Sequence, residues 1–413
     1  MAKGCGGVGD EGARVAGASG AWRTPDVWRI ALSAFCADLG YQAVLAVFPL
    51  FFVLRLHAPV ALLGLATAVA YGPGALAGYI GGRVGDRVGR KRTALWGNAF
   101  IPLLSLIGLA VAPAEALVLL ALGWWARNFR SAPRRAMLTE VVAPADRGKA
   151  FGFLHALDIG GGTLAAVYAF ALVALLAAPY RLILLLTLVP LIASTVVLAF
   201  VRAGGRPATA FAGAPPATAA PPKARDMAVY RGVLLATALY GFSSYSAGFP
   251  ILTIAQGTHS PAKGVLSYVL FLGVSALTGL WAGRRWGDSV RGLALAGYGV
   301  AALGSAGIAV SYALHLGVAG LYASMAILGF ALGVVETLEP TLISRLAPAA
   351  KTSGGMGSLT ASRSMGLFVA NIALGLLYHF SPVYSYAYAT AVAAAAVVVL
   401  LGVRARVGRL AAG

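Results

Sequence analysis

The chain is a succession of apolar runs, and no other feature narrows its possible folds so far. Twelve runs recur from end to end, at about 27–54, 60–81, 93–112, 115–138, 149–177, 181–201, 229–255, 262–282, 292–312, 316–345, 355–379 and 383–403. Roughly 20 apolar residues cross the hydrocarbon core of a bilayer as a helix. The runs are rich in Gly, Ala and Leu and do not alternate polar with apolar residues. Backbone groups in hydrocarbon must be satisfied internally, so the pattern predicts a helical bundle rather than a barrel. The expected fold class is an all-α membrane protein with twelve transmembrane helices. Composition fits: 59% of residues are hydrophobic and 11% charged, against about 25% charged in soluble domains.

A net charge of +19 raises the question of a nucleic-acid partner, and its distribution answers no. With the first helix starting inside, the inner connections hold most of the charge, from Arg83, Arg87, Arg90, Lys91 and Arg92 through Arg134, Arg135, Arg147 and Lys149 to Arg404, Arg406 and Arg409. The outer connections keep Arg55, Arg181 and Lys263. This positive-inside bias predicts that both termini are cytoplasmic. Residues 1–24 have no apolar core, so they do not read as a signal peptide. Cys5 and Cys36 fall in a tail and inside a helix, and no disulfide is expected between them.

Between Arg202 and Arg225 the sequence becomes Gly-, Pro- and Ala-rich, the composition of an extended linker. The expected domains are a tail over 1–25, a six-helix bundle over 26–201, a cytoplasmic linker over 202–228, a second six-helix bundle over 229–403 and a tail over 404–413. Traces of a repeat relate the halves. Gly85-Asp86 recurs as Gly287-Asp288, and Pro144-Ala145-Asp146-Arg147-Gly148-Lys149 is echoed by Pro348-Ala349-Ala350-Lys351. Two pseudo-symmetric bundles of this kind place a binding site at their interface near mid-membrane, exposed alternately by rocking of the halves. A monomer suffices for that motion.

The stretch Gly82-Arg83-Val84-Gly85-Asp86-Arg87-Val88-Gly89-Arg90-Lys91-Arg92 joins the second and third runs as a short glycine-spaced cationic loop. In this position of a six-plus-six chain it resembles the signature loop of the major facilitator superfamily. The resemblance spans the whole chain in topology and implies a secondary transporter. It implies that Asp86 meets the start of helix eleven near Ser353-Gly354, where free amides favour an anion. Arg87 and Arg90 would pair with an acid at the end of helix four, for which Glu140 is the candidate. Gly82, Asp86, Arg87, Gly89, Arg90 and Glu140 would then form an inner gate. The alternative for the basic residues, Arg83, Lys91 and Arg92 above all, is that they serve orientation alone.

Ionisable groups inside a membrane helix cost about 2.5–3.5 kcal/mol on insertion scales, so each needs a reason. Asp38 and Gln42 share a face of helix one, His155 and Asp158 lie one turn apart on helix five, and Glu336 and Glu339 share a face of helix ten. Arg127, Arg130 and Arg134 form a stripe along helix four at i, i+3 and i+7. A carboxyl group held in a desolvated cavity can load and unload a proton near neutral pH, so Asp38, Asp158, Glu336 and Glu339 are candidate proton carriers with Arg127 and Arg130 as charge partners. Glu336 is preferred to Glu339, because Pro340 marks a bend nearer the inner surface. The competing structural reading is a set of permanent ion pairs, such as Asp158 with the helix-four arginines. The histidines are too scattered to suggest a metal site, and no cofactor is expected.

Arg130-Ser131-Ala132-Pro133-Arg134, Arg147-Gly148-Lys149-Ala150-Phe151-Gly152, Asp158 and Glu336-Thr337-Leu338-Glu339 resemble a bacterial branch of this superfamily. The location implied is the bacterial inner membrane. The chain departs from that pattern at Arg135 and Gln42, where acids would be expected. Gly160-Gly161-Gly162 allows close helix approach and is similar to a motif of drug exporters, without that motif's proline. Gln42, Trp124, Tyr240, Tyr245, Phe249 and Tyr268 are candidate cavity walls, with Trp125 beside them, and would suit an amphipathic or cationic solute. Ser243, Ser244 and Ser246 would bond substrate or the preceding turn. The leading expectation is proton-coupled efflux of a small molecule by antiport. A proton-coupled importer is the alternative, and a lipid scramblase or membrane enzyme a remote one. There is no clustered His, Asp or Cys, and no Gly-x-x-x-x-Gly-Lys-Ser/Thr loop for ATP.

Overall fold

The computed structural model describes residues 22–142, 146–202, 224–286, 289–346 and 352–409. The expected tail before Trp22, most of the linker, Pro144-Ala145, Gly287-Asp288, Pro348 to Lys351 and the residues after Arg409 lie outside them. Helices follow one another in the order α1 Pro25–Arg55, α2 Val60–Val88, α3 Arg90–Leu109, α4 Pro113–Val141, α5 Arg147–Ala174 and α6 Tyr180–Ala199. Then come α7, in two pieces Ala224–Ser243 and Gly248–Gly257, α8 Pro261–Trp286, α9 Val290–Ala313, α10 Gly317–Leu346, α11 Thr352–Phe380 and α12 Pro382–Arg409. No strand occurs among the described residues.

Nine of these segments are long and apolar enough to cross a membrane; α4, α7 and α11 are not among them. Helix α4 carries Glu115, Arg127, Arg130, Arg134, Arg135 and Glu140. Helix α7 was expected as one run over 229–255 and is interrupted at Ser244–Ala247. Its serines compete with the helix for backbone groups. The hydroxyls of Ser243 and Ser244 donate to Tyr240 O at 2.7 and 3.0 Å, and Ser246 Oγ accepts from Gly248 N at 3.2 Å. They bond the chain itself.

Proline and histidine punctuate the helices. Pro25, Pro113, Pro261 and Pro382 stand at first helical positions, where the missing N–H costs nothing. Thr24 caps α1 by accepting from Val27 N at 3.3 Å. The chain leaves α1, α7 and α9 through His57, His259 and His315, each in the left-handed region with φ of 53, 50 and 53°, a post usually held by glycine. Leu56-His57-Ala58-Pro59 and Thr258-His259-Ser260-Pro261 are thus a further echo between the halves, in conformation as well as sequence.

Packing repeats with the same offset. Helix α1 lies against α5 and α6, and α4 against α2 and α3; six helices later, α7 lies against α11 and α12, and α10 against α8 and α9. The two sets meet through α2 with α11 and α5 with α8. Small residues let these helices approach. A Cβ on Gly375 of α11 would stand 2.9 Å from Gly64 Cα on α2, across the seam. A Cβ on Gly161 of α5 would stand 2.5 Å from Phe35 O on α1.

Candidate functional site

Among the described residues, each set of helices encloses one deeply buried carboxyl group. Asp38, midway along the α-helical part of α1, is 5% exposed, and the hydroxyl of Tyr41 one turn on donates to its Oδ1. Arg127 of α4 donates to that same hydroxyl at 3.1 Å, and its guanidinium lies 5.0 and 5.1 Å from the ring centres of Tyr41 and Trp124. Asp38 and Arg127 are therefore linked through Tyr41 rather than paired directly. Arg134 meets Asp158 of α5 at 3.4 Å, and Asp38 lies close enough to Arg127, Arg134 and Asp158 to feel their charges. Gly161 and Gly162 make room for this: their faces lie against Asp38 and Gln42 of α1.

Arg130 is placed otherwise. It is 1% exposed and donates to Asn98 Oδ1 of α3, while Asn98 Nδ2 donates to Ser194 and Thr195 of α6 at 3.0 and 2.9 Å. Ser33 Oγ donates to Ser194 O at 2.8 Å. Arg130 therefore ties α4 to α3, α6 and α1 through neutral partners, and no carboxylate lies within 4.0 Å among the described residues.

In the second set the buried acid is Glu339, 0% exposed. The Tyr298 hydroxyl donates to its Oε1 at 2.6 Å, and Arg363 Nη1 lies 3.6 Å from its Oε2. Arg363 Nη2 sits at 2.7 Å from Glu336, whose side chain is half exposed. Of the two glutamates, Glu336 was preferred as a carrier; α10 runs on through Pro340, and Glu339 is the buried one. Tyr298 belongs to a π-helical stretch, Leu293–Gly299, a distortion that often marks a working site. Its ring stacks on Tyr240 at 4.4 Å.

Hydrogen bonds cross the seam between the sets in the half nearer His57 and His259. Tyr268 of α8 donates to Gln42 Oε1 at 2.7 Å, and the Thr67 hydroxyl of α2 lies 3.1 Å from Asn371 Oδ1 of α11. That same Asn371 oxygen accepts from Ser246 N in the break of α7 at 3.0 Å. Phe249, expected as a cavity wall, is fully buried against Ala370, Leu374 and Tyr378. Tyr245 is bonded to Ser305 at 3.0 Å, and Trp125 Nε1 donates to Val69 O at 2.9 Å. Trp124 lies edge-on to Tyr41 and Tyr71. At the end that carries His57 and His259 a recess of about 620 Å³, lined by Arg55, Tyr180, Arg181 and His259, lies apart from the buried acids.

At the opposite end the expected loop from Gly82 to Arg92 is almost wholly helical. Helix α2 continues to Val88 and α3 starts at Arg90, leaving Gly89 alone as the turn, with φ 112°. Only glycine takes that φ readily. Gly82 faces Ala132 at an ordinary contact distance. Arg90 Nη1 donates to Glu140 Oε1 at 2.6 Å, and Asp86, 69% exposed, sits 3.5 Å from Arg90. Arg87 has no ion pair among the described residues, and no described ion pair joins the two sets. The side chains at Ser353-Gly354, expected to meet Asp86, lie outside those described. His155 is exposed, and no group of three metal-ligating side chains occurs among the described residues.

Tyr41, Tyr298, Asn98, Asn371 and Arg363 were not anticipated. Arg363 had a signal, as the one charged side chain in the sequence between Lys351 and His379; the tyrosines had none, because aromatic residues abound in such helices.

A model of the Major Facilitator Superfamily matches residues 30–370. No curated protein matches the chain. Among solved structures, a mutant of the peptide transporter POT superposes with a TM-score of 0.71 at 17% identity, covering 93% of this chain and 95% of that one. A D-xylose-proton symporter gives 0.72 at 13% identity over 91% and 96%. The inward open xylose transporter XylE from E. coli gives 0.68 at 15% identity, again over 91% and 96%. At such identities the likeness is one of fold.

Proposed function

Because the chain belongs to the major facilitator superfamily, we propose that it is a proton-coupled secondary transporter of a small amphipathic molecule. All twelve helices span the bacterial inner membrane as two pseudo-symmetric bundles joined by the linker over 202–228, with both termini cytoplasmic. The solute site lies between the bundles, and rocking about the α2–α11 and α5–α8 contacts exposes it to each side in turn. The described conformation, with hydrogen bonds across the seam in the half nearer His57 and His259, is the inward-facing one in this reading. Asp86, Arg90 and Glu140 then belong to the gate that closes the inner end.

The observation that carries proton coupling is a buried acid in each half, each bonded to a tyrosine hydroxyl with an arginine close by: Asp38 with Tyr41 and Arg127, Glu339 with Tyr298 and Arg363. A desolvated carboxylate is costly unless paired, so taking up a proton changes the bond to the tyrosine hydroxyl and, through it or directly, the setting of each arginine. That change is a local event able to bias two packings of the helices. Efflux by antiport is the first reading of direction, supported by the glycine run of α5. Uptake by symport is the second, favoured by the proton symporter among the structural neighbours.

Purified protein in proteoliposomes with an imposed pH gradient tests the proposal. Uphill flux should follow one gradient polarity, inside-acid or outside-acid, and so fix the direction. Asp38→Asn should abolish uphill flux in a folded protein; unchanged uphill flux excludes Asp38 as an essential carrier. Chemical turnover of a lipid with no solute flux under either polarity would overturn transport altogether.

A further inference from the structure

Helix α4 brings three guanidinium groups among buried contacts, and the described carboxylates answer only part of that charge. Arg134 has Asp158 at 3.4 Å. Arg130 is enclosed by Asn98 and contributes to helix packing. Arg127 differs from both. It is only partly buried, whereas Arg130 and Arg134 are buried, and its hydrogen bonds go to neutral acceptors: Asn128 Oδ1 at 3.0 Å and the Tyr41 hydroxyl at 3.1 Å. Its Nε, like those of Arg130 and Arg134, is buried and meets no acceptor among the described groups. No carboxylate of the described residues stands within 4.0 Å of it; Asp38 reaches it through Tyr41.

A guanidinium at mid-membrane depth with spare donors is an incomplete ion pair, and the missing half is an anion. The planar fork of arginine matches a carboxylate with two parallel hydrogen bonds. Around Arg127 lie flat apolar surfaces. Trp124 and Tyr41 lie edge to face at 5.7 Å, and Trp124 and Tyr71 at 4.9 Å. A solute that satisfies both features has a carboxylate head and an apolar, ring-like body. A cationic solute, the type expected from the aromatic residues alone, would bring like charge to Arg127.

We propose that the solute is an organic anion, its carboxylate held by Arg127 and its apolar body laid against Trp124, Tyr41 and Tyr71. The word solute rests on the transport reading above, while the anion site is tested by binding alone. The protein in nanodiscs of neutral lipid is titrated with 1-naphthoate, benzoate and acetate, and with benzyl alcohol and benzylamine as neutral and cationic counterparts, reading thermal stability and tryptophan fluorescence.

Naphthoate and benzoate should stabilise the protein at lower concentration than acetate, benzyl alcohol or benzylamine. Arg127→Gln should weaken naphthoate at least about tenfold, and Arg127→Lys should restore part of that loss. Should Arg127→Gln not fold, Trp124→Leu keeps the cation: naphthoate should weaken while acetate is unchanged. Equal stabilisation by benzylamine or benzyl alcohol, binding of naphthoate unaffected by either variant, or no response to any probe overturns the proposal. Flux of the same anions is measured separately in proteoliposomes. Arg127-dependent binding without flux under either gradient sinks the transport reading and leaves the anion site; flux of another solute without such binding does the reverse.

Discussion

Tyr268 of α8 donates its hydroxyl to Gln42 of α1 at 2.7 Å, so a single side-chain hydrogen bond ties the opening helix of one half to the other half. A buried hydrogen bond is worth about 1 kcal/mol net. Tyr268→Phe should shift the equilibrium about fivefold toward separation of the halves at the end that carries His57 and His259. Spin labels at His57 and His259, both exposed, read this as a larger population at long distance. An unchanged distance distribution would show that the bond does not hold the seam.

Asn371 supports the same seam from α11, facing Thr67 and the broken turn of α7 at once. Asn371→Ala leaves Ser246 N without its acceptor in a buried place, which costs about 1–3 kcal/mol. Lower thermal stability in detergent, accompanied by faster amide exchange at residues 244–248, is the expected result. Exchange unchanged in that segment would mean the α7 break is held by its own serines.

Two neighbouring glycines give a sharp contrast. Gly161→Ala would drive a methyl into Phe35 O, whereas a Cβ at Gly160 meets nothing within 4 Å. Overpacking of this kind costs about 1–3 kcal/mol. The first substitution should lower the melting temperature and the second leave it unchanged; equal effects would refute the close docking of α5 on α1.

Glu339 and Glu336 should separate in transport. Glu339→Gln removes the buried acid bonded to Tyr298, and uphill flux should fall by more than about tenfold, or 1.4 kcal/mol of driving interaction. Glu336→Gln, at a half-exposed site, should cost less. A larger loss at Glu336 would assign coupling to the exposed member of the pair.

Gly89 has a φ of 112° and open space around it, so alanine there is strained by backbone alone, at about 1–3 kcal/mol. Gly89→Ala should speed amide exchange across residues 86–93 without disturbing the buried acids. Unaltered exchange would show that the α2–α3 turn tolerates a side chain.

The sequence by itself determined the all-helical, membrane-spanning character of the chain, and it predicts an orientation from the charge of its connections. Apolar length is a local property and positive charge a simple tally along the connections, so both can be read without knowing what touches what. The family resemblance was also local, carried by the spacing from Gly82 to Arg92, and residues 30–370 match the family model. Arg90 and Glu140 were nameable as partners because the resemblance placed two helix ends together.

Tertiary structure alone decided which buried groups meet. Asp38 could have faced Arg127 directly; the rotation of α1 against α4 puts the Tyr41 hydroxyl between them. Glu339 rather than Glu336 is the buried one because the rotation of α10 turns it toward Tyr298 and Arg363. The Ser-rich stretch of α7 read as helix, and it breaks where Asn371, far along the chain, accepts from its backbone. These outcomes depend on rotation and depth of whole helices, set by close contacts such as Gly64 with Gly375. No local pattern of residues encodes such a contact, because its two sides are written in different helices.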